Sequence, residues 1–264
     1  MNFIEVNGAA LRYDLSGAGA STLVLVHEMG GTLESWDFVL PMLATKRRVL
    51  RYDARGQGLS EKVRGNVTID TMVADLVALM DALGITDKVA LAGMAVGGAI
   101  ALHTAALFPN RVAVLAVSSP SIRIAADRRA TVLARAERME REGLRAILDA
   151  LDTGYPSELR RDANRFASFR ARWLGSDPVS LAAIYRGMLA RMDDLYDELS
   201  RITCPTLVIA GALDRSRPPQ VVEPIARAIP GARFEVHQTG HFAAVQTPEL
   251  FAGAVNEFLD ASAN

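Results

Sequence analysis

The chain has 264 residues, a formal net charge of −1, and a composition that is 50% hydrophobic and 22% charged. This length allows one α/β domain with an insertion, and the near balance of charge excludes a nucleic-acid footprint or a charged disordered tail. The single cysteine, Cys204, excludes a disulfide framework. We find no signal-peptide pattern and no run of 18 apolar residues, so we expect a soluble cytoplasmic protein with no membrane partner.

Strand and helix signals alternate along the first half of the chain. Asn7-Gly8 is a strong turn dipeptide and predicts an opening hairpin. The apolar residues of 69–83 recur at intervals of three and four, which predicts one face of a helix. In chain order we expect strands at 3–6, 10–14, 22–27 and 48–52, a helix at 69–83, a strand at 88–92, a helix at 96–108 and a strand at 112–117.

The middle of the chain has a different character. Residues 121–201 show almost no strand signal and include fourteen arginines between Arg123 and Arg191. We predict a helical insertion here. The alternation then resumes, with strands at 206–211 and 233–237 and helices at 219–229 and 248–259. Alternating β and α units indicate a mainly parallel sheet with helices on both faces. The predicted organisation is an α/β core of residues 1–120 and 202–264 that the segment 121–201 interrupts.

Residues 93–98 read Gly-Met-Ala-Val-Gly-Gly and stand between a predicted strand and a predicted helix. This is the frame of a nucleophile elbow, a sharp turn that presents one side chain to a substrate. Glycines suit the points where the helix approaches the sheet closely. The position of the nucleophile carries Ala95, whose methyl group cannot attack a substrate. A tight strand-to-helix turn without a catalytic role would fit this short pattern equally well.

Other segments of the chain match a known superfamily and occur in the same order. The chain resembles the α/β-hydrolases over nearly its full length, and among them it is most similar to esterases and lactonases of the 3-oxoadipate enol-lactonase type. The segments that carry the resemblance are Leu25-Val26-His27-Glu28-Met29-Gly30-Gly31 with Trp36, Tyr52-Asp53-Ala54-Arg55-Gly56-Gln57-Gly58-Leu59-Ser60, 204–214, and Gly240-His241-Phe242.

The resemblance implies an eight-stranded, mostly parallel sheet with a helical cap formed by residues 121–201. It also implies a catalytic triad in the order nucleophile, acid, base, at Ala95, Asp214 and His241. In such a triad the histidine accepts the proton of the nucleophile, and the aspartate fixes and stabilises the imidazole. A turn aspartate and a surface histidine are the alternatives at the last two positions. Asp127 is the alternative acid if Asp214 lies far from His241.

The same resemblance locates an oxyanion hole and suggests residues that meet the substrate. The backbone N–H groups of Met29 and Val96 are the expected oxyanion donors. Glu28 stands where the superfamily usually has glycine, and is either a substrate-orienting group or second base, or a capping or salt-bridging residue that faces away. Trp173 and Phe242 are expected at the substrate. Trp173, with Tyr155 and Tyr185, either walls the pocket or anchors the cap helices to the core.

The predicted function is serine-type hydrolysis of a small ester or lactone through an acyl-enzyme, with no metal or other cofactor. The partner is a small-molecule ester, lactone or carboxylate, and one or two cap arginines are candidates to bind an acidic substrate. With Ala95 the chain is expected to be nearly inert, and we interpret the alanine as an engineered replacement of serine. The alternatives are a natural nucleophile-less lyase, C–C hydrolase or cofactor-free oxygenase that uses His241 and Asp214, or a ligand-binding protein.

Overall fold

An 8-stranded sheet forms the centre of the computed structural model, which describes residues 2–65, 67–122, 126–189 and 192–262. Arg123 and Arg191, the first and last of the arginines counted above, lie outside the described residues. The strands are β1 (Asn2–Val6), β2 (Ala9–Ser16), β3 (Thr22–Val26), β4 (Arg48–Tyr52), β5 (Val89–Met94), β6 (Val112–Ser118), β7 (Thr206–Gly211) and β8 (Arg233–His237).

The spatial order of the strands is β1-β2-β4-β3-β5-β6-β7-β8. The hairpin of β1 and β2 is antiparallel, β2 pairs antiparallel with β4, and every other pair is parallel. The predicted fold class, a mostly parallel eight-stranded sheet flanked by helices, is therefore confirmed. Since β5, β6, β7 and β8 are parallel neighbours, the segments that follow their carboxyl ends emerge at one edge of the sheet.

Helices cover both faces of the sheet and also fill the segment between β6 and β7. Helix α3, the helix of the elbow, is buried along almost its whole length because it packs on β5 and β6. The helices are α1 (Leu40–Leu43), α2 (Ile69–Ala82), α3 (Val96–Leu107), α4 (Arg129–Glu142), α5 (Leu148–Gly154), α6 (Ala163–Leu174), α7 (Pro178–Leu189), α8 (Met192–Glu198), α9 (Pro219–Arg227), α10 (Ala243–Gln246) and α11 (Pro248–Ser262).

The described part of the segment between β6 and β7, hereafter the insertion, contains helices α4 to α8 and short 3-10 turns but no strand. It touches the core at several loops. Trp173 lies so close to Gly30 that a Cβ at that glycine would be 2.7 Å from the indole ring, and a Cβ at Gly187 would be 2.1 Å from the carbonyl oxygen of Val67. The insertion is therefore packed directly on the loops that follow the core strands.

His103, on α3, connects the insertion to the core. Its buried ring places Nε2 at 2.9 Å from Asp70 Oδ1 and Nδ1 at 2.6 Å from Glu198 Oε2. Asp70 belongs to α2, and Glu198 is the last residue of α8. The imidazole therefore lies between a core carboxylate and a carboxylate at the C-terminal end of the insertion. Among the described helices, none has the length and apolarity needed to span a membrane.

Candidate active site

The elbow between β5 and α3 holds Ala95 in a conformation that is rare for a residue with a side chain. Its backbone has φ 53° and ψ −114°, and it is the N-cap of α3. Positive φ of this kind costs a residue with a Cβ on the order of 1–3 kcal/mol and persists only where the surrounding structure imposes it. The Ala95 N–H donates to Ser118 O at 2.9 Å, and the Ser121 N–H donates to Ala95 O at 2.9 Å. The turn is therefore fixed by the segment that follows β6.

Glycines allow the backbone to close around this turn. A Cβ at Gly93 would lie 2.3 Å from the Gly97 carbonyl oxygen, and a Cβ at Gly97 would lie 2.0 Å from that of Val26. Contacts this short with rigid backbone leave no room for any side chain. The glycine frame thus brings the first turn of α3 against the end of β3.

Hydrogen bonds lock the loop after β3, which contains Met29. The Ala54 N–H donates to His27 Nε2 at 2.9 Å, so the His27 proton is on Nδ1, which donates to Glu28 O at 2.7 Å. The Gly31 N–H also donates to Glu28 O, at 3.0 Å, and the Gly30 N–H donates to Gln57 Oε1 at 2.7 Å. A rigid loop of this kind can preorganise backbone donors for a developing negative charge.

Asp214 and His241 lie together at the carboxyl edge of the sheet. His241 Nδ1 is 2.8 Å from Asp214 Oδ2, and the other carboxylate oxygen accepts from the N–H groups of Ser216 at 2.8 Å and Arg217 at 2.9 Å. Burial disfavours the charged carboxylate, but His241 and the N–H donors outweigh it and hold the pKa of Asp214 below its ordinary value. An ionised Asp214 places the His241 proton on Nδ1, which leaves Nε2 of the neutral ring as an acceptor. Asp127, the alternative acid, is exposed.

Glu28 is turned into the protein. Its side chain is almost completely buried, and Oε1 accepts from Ser35 Oγ at 2.8 Å. A Cβ at Gly31 would lie 2.5 Å from the Glu28 carboxyl carbon. Burial raises the pKa of Glu28, although the Ser35 hydrogen bond and the positive charge of Arg172 are among the influences that act in the opposite direction. A raised pKa favours the neutral acid, which brings no negative charge into the loop that contains Met29.

The aromatic side chains predicted at the substrate have clear packing roles. Phe242 packs on Phe169 and Tyr155 of the insertion, with ring centroids 4.8 Å and 6.5 Å apart. Its ring also meets that of His241 edge-on, at 5.0 Å. Tyr155 is fully buried in this cluster, and Trp173 covers Gly30. These contacts attach the insertion to the two core loops that contain His241 and Met29.

The contacts of two residues in this region could not be predicted from the sequence. Gln57 lies in one of the matched segments, but nothing in the pattern indicates that its amide holds the Gly30 N–H. Arg217 follows Asp214 by three positions, and its Nε donates to Ser121 Oγ at 2.8 Å. An Arg-x-Arg-Pro run in a loop looks like a solvated turn in sequence, so only the structure reveals that this side chain points inward.

The fold and the geometry of this edge define an α/β-hydrolase. The chain belongs to the family described as serine aminopeptidase, S33, whose model matches residues 13–242. A shorter match, 44% identical over 114 residues, is to the dihydrolipoyllysine-residue acetyltransferase component of the acetoin cleaving system of Pseudomonas putida. It covers 43% of this chain and spans only 30% of that protein.

Similarities over nearly the full length include esterases and lactonases. A thermophilic esterase from Thermogutta terrifontis, with malate bound, has a TM-score of 0.92 and 29% identity, with 99% of each chain covered. The enol-lactonase from Burkholderia xenovorans LB400 has a TM-score of 0.91 and 29% identity, with 98% of this chain and 100% of that chain covered. The 3-oxoadipate enol-lactonase 1 of Acinetobacter baylyi is 27% identical, with 96% and 94% covered. The predicted resemblance is confirmed, and the chain is an esterase- or lactonase-like α/β-hydrolase.

Proposed function

We propose that this scaffold hydrolyses a small ester or lactone through an acyl-enzyme whose nucleophile would be a serine at position 95. His241 would take the serine proton and later activate water, with Asp214 as its orienting acid. The N–H groups of Met29 and Val96 would stabilise the oxyanion. The observation that carries the proposal is the 2.8 Å contact between His241 and the buried Asp214, at the sheet edge where the elbow also emerges.

The chain as written would be inactive in this reaction, because Ala95 provides no nucleophile. We take the alanine to be an engineered replacement of serine. Two observations support this. The elbow has a strained backbone, φ 53°, and a glycine frame, although a methyl group held toward a substrate has no chemical use. The acid–base pair is also retained in hydrogen-bonding geometry.

The insertion would form the cap, residues 121–201, over the site. Support comes from its contacts with the loops that contain the proposed catalytic groups. A Cβ at Gly154 would lie 2.8 Å from the Phe242 ring and 3.4 Å from His241 Cβ, and Trp173 lies against Gly30 next to Met29. A substrate would therefore be enclosed between the insertion and the sheet edge. We also propose that the reaction takes place in the cytoplasm and needs no cofactor.

The proposal is tested by Ala95→Ser. Loss of a triad nucleophile costs on the order of 10³-fold or more in turnover, so the serine should raise hydrolysis of some ester, thioester or lactone in a panel by at least about that factor. Ala95→Gly, which also lacks a nucleophile, is the matched control and should show no gain. Ala95→Ser combined with His241→Ala should lose the gain. No gain on any substrate would refute the hydrolase proposal.

A second candidate function uses His241 without a nucleophile. An intact His241–Asp214 pair, in a chain whose elbow has no nucleophile, suits a lyase, a C–C hydrolase or a cofactor-free oxygenase if its general base is the imidazole. In that case the chain with Ala95 forms product, and His241→Ala abolishes it. Ligand binding without turnover in either form would instead favour a binding protein.

A further inference from the structure

Glu28 begins the tight turn that presents the Met29 N–H. The Gly31 N–H donates to Glu28 O at 3.0 Å, and Gly30 has φ 72°, as the third residue of a type II turn requires. Met29 is the second residue of this turn, and its N–H has no hydrogen-bond acceptor among the described residues. A free N–H on a fixed turn suits the proposed role of oxyanion donor.

The Glu28 carboxyl fills the space beside this turn. Oε1 accepts from Ser35 Oγ at 2.8 Å, and a Cβ at Gly31 would lie 2.6 Å from Oε1 and 2.7 Å from Oε2. The carboxyl thus lies directly against the last residue of the turn. Removing it would leave a buried cavity there, and a protein relaxes only partly around such a cavity. The position of the Met29 N–H therefore depends on this side chain.

Oε2, the second carboxyl oxygen of Glu28, is buried and has no hydrogen-bond partner among the residues that the structure describes. Buried polar atoms nearly always have such a partner, because desolvation without one is costly. No direct hydrogen bond at this oxygen therefore favours either the neutral acid or the carboxylate. The charge of Glu28 depends instead on burial, on the contact with Ser35 and on the charges nearby.

The insertion contributes one of those charges. The end of α6 and the residues after it cover the turn, because Trp173 lies against Gly30 and Ser176 Oγ donates to Gly30 O at 3.3 Å. Arg172 immediately precedes Trp173, and its Nη2 is buried without a hydrogen-bond partner in the described part of the chain. A cation of the insertion therefore lies close to the loop that contains Met29.

Burial and charge act on Glu28 in opposite directions. Burial raises the pKa of the carboxyl, whereas His27, Ser35 and Arg172 are among the influences that lower it. The pKa remains raised, so the neutral acid persists to a higher pH than in an exposed glutamate. Two other carboxylates in the neighbouring segments pair with one guanidinium: Asp53 and Glu34, with Arg12. Arg172 is thus the cation through which the insertion acts on this balance.

We propose that Glu28 is a positioning residue for the oxyanion turn: its neutral carboxyl supports the Met29 N–H, its ionised form opposes the oxyanion, and Arg172 sets the pH at which one form replaces the other. The inference rests on the proposed function, since it assumes that Met29 meets an oxyanion. A carboxylate close to a developing negative charge raises the energy of the transition state. Because Arg172 favours the carboxylate, it lowers the pH of the change.

The first test needs no turnover and follows the Met29 N–H by NMR in the chain with Ala95, labelled with ¹⁵N-methionine. The chain has 9 methionines, and Met29→Leu identifies the signal. The signal should move with pH in a single titration, because Glu28 ionises beside it. Glu28→Gln, which keeps the shape of the carboxyl, should abolish the titration. Arg172→Gln should move its midpoint to higher pH, because it removes a charge that favours the carboxylate.

Two variants are matched controls for this titration. Glu34→Gln removes a carboxylate from the segment that follows the turn, but that carboxylate pairs with Arg12 at 2.5 Å. Arg161→Gln removes an exposed cation from the insertion. Neither should change the titration of the Met29 N–H. Met80, which is buried in α2, gives a reference signal that should not move.

The second test is turnover by Ala95→Ser. Adding Glu28→Ala should lower kcat by about 10²-fold, the cost of one misplaced oxyanion donor, with KM changed by less than about threefold. Adding Glu28→Gln should recover most of that loss. It should also remove a decline of kcat toward alkaline pH, since Glu28 gains its negative charge as the pH rises through its raised pKa. The ratio of the pH profiles with Glu28 and with Gln cancels the titration of His241, which both proteins share.

A Met29 signal that does not titrate, or that titrates equally in Glu28→Gln, would overturn the inference. If Ala95→Ser hydrolyses esters and Glu28→Ala leaves its kcat unchanged, the hydrolase proposal stands and the role of Glu28 is refuted. If Ala95→Ser hydrolyses nothing while the Met29 signal follows Glu28 and Arg172, the link between Glu28 and the turn stands and the hydrolase proposal fails.

Discussion

The elbow and the insertion are held by different kinds of contact. At the elbow, backbone lies on backbone: a Cβ at Gly97 would be 2.0 Å from a carbonyl oxygen of β3. The insertion meets core backbone at Gly187, but it is also held by side chains, through the aromatic cluster around Tyr155 and ion pairs such as that of Arg186 with Glu140. Backbone contacts accept no added atom, whereas side-chain contacts can be repacked. The elbow is thus the more rigid region and the insertion the more adaptable one.

Gly97→Ala tests the rigidity of the elbow and should have the largest effect on stability. The methyl group would overlap the carbonyl oxygens of Val26 and His27, so the free energy of unfolding should fall by about 4 kcal/mol or more. Gly253→Ala is the control, because a Cβ there meets no atom within 4 Å and α11 should gain about 0.5–1 kcal/mol. Urea denaturation measures both. A Gly97→Ala protein of unchanged stability would show that the elbow is not backbone-limited.

Trp173→Ala tests whether the insertion can adapt to the loss of a packed side chain. The indole is buried between α6 and Gly30, so its loss should lower the free energy of unfolding of the insertion by about 3 kcal/mol. The fluorescence of Trp36, which is fully buried in the core, should report an almost unchanged core transition. Trp173→Phe should recover more than half of the loss. If the core and the insertion lose stability equally, the insertion is not the more adaptable of the two regions.

Ala95→Gly should produce the smallest effect and the opposite sign. Glycine relieves the positive φ of 53° at the elbow, and after its own entropic cost is included the protein should gain about 1 kcal/mol. Ala99→Gly, one turn further along α3 in ordinary helical geometry, should instead destabilise the protein. Thermal unfolding of both variants measures the difference. A loss of stability in Ala95→Gly would mean that the elbow is not strained.

The rigid region is also the part that could be predicted from sequence. Backbone geometry restricts which residue types can occur at a position. It therefore explains the glycine frame around Ala95 and the order in which Asp214 and His241 follow it. The inward direction of Arg217 and the burial of Glu28 could not be predicted, because both depend on which groups surround the side chain in three dimensions. Arg217 meets Ser121 across 96 positions, and Glu28 is buried against Gly31 and Ser35 within its own loop. Patterns of residue type indicate elements and turns, but not which polar side chains turn inward.

His103 has a consequence for how the insertion can move. Its ring lies between Asp70 of the core and Glu198 at the end of the insertion, with both contacts at 2.9 Å or less. An imidazole that contacts both carboxylates at this junction fixes the C-terminal end of the insertion to the core. Any displacement of the insertion would therefore be smallest where α8 ends. His103 is on the same helix as Val96, so the anchor of the insertion and the elbow are the middle and the start of one helix.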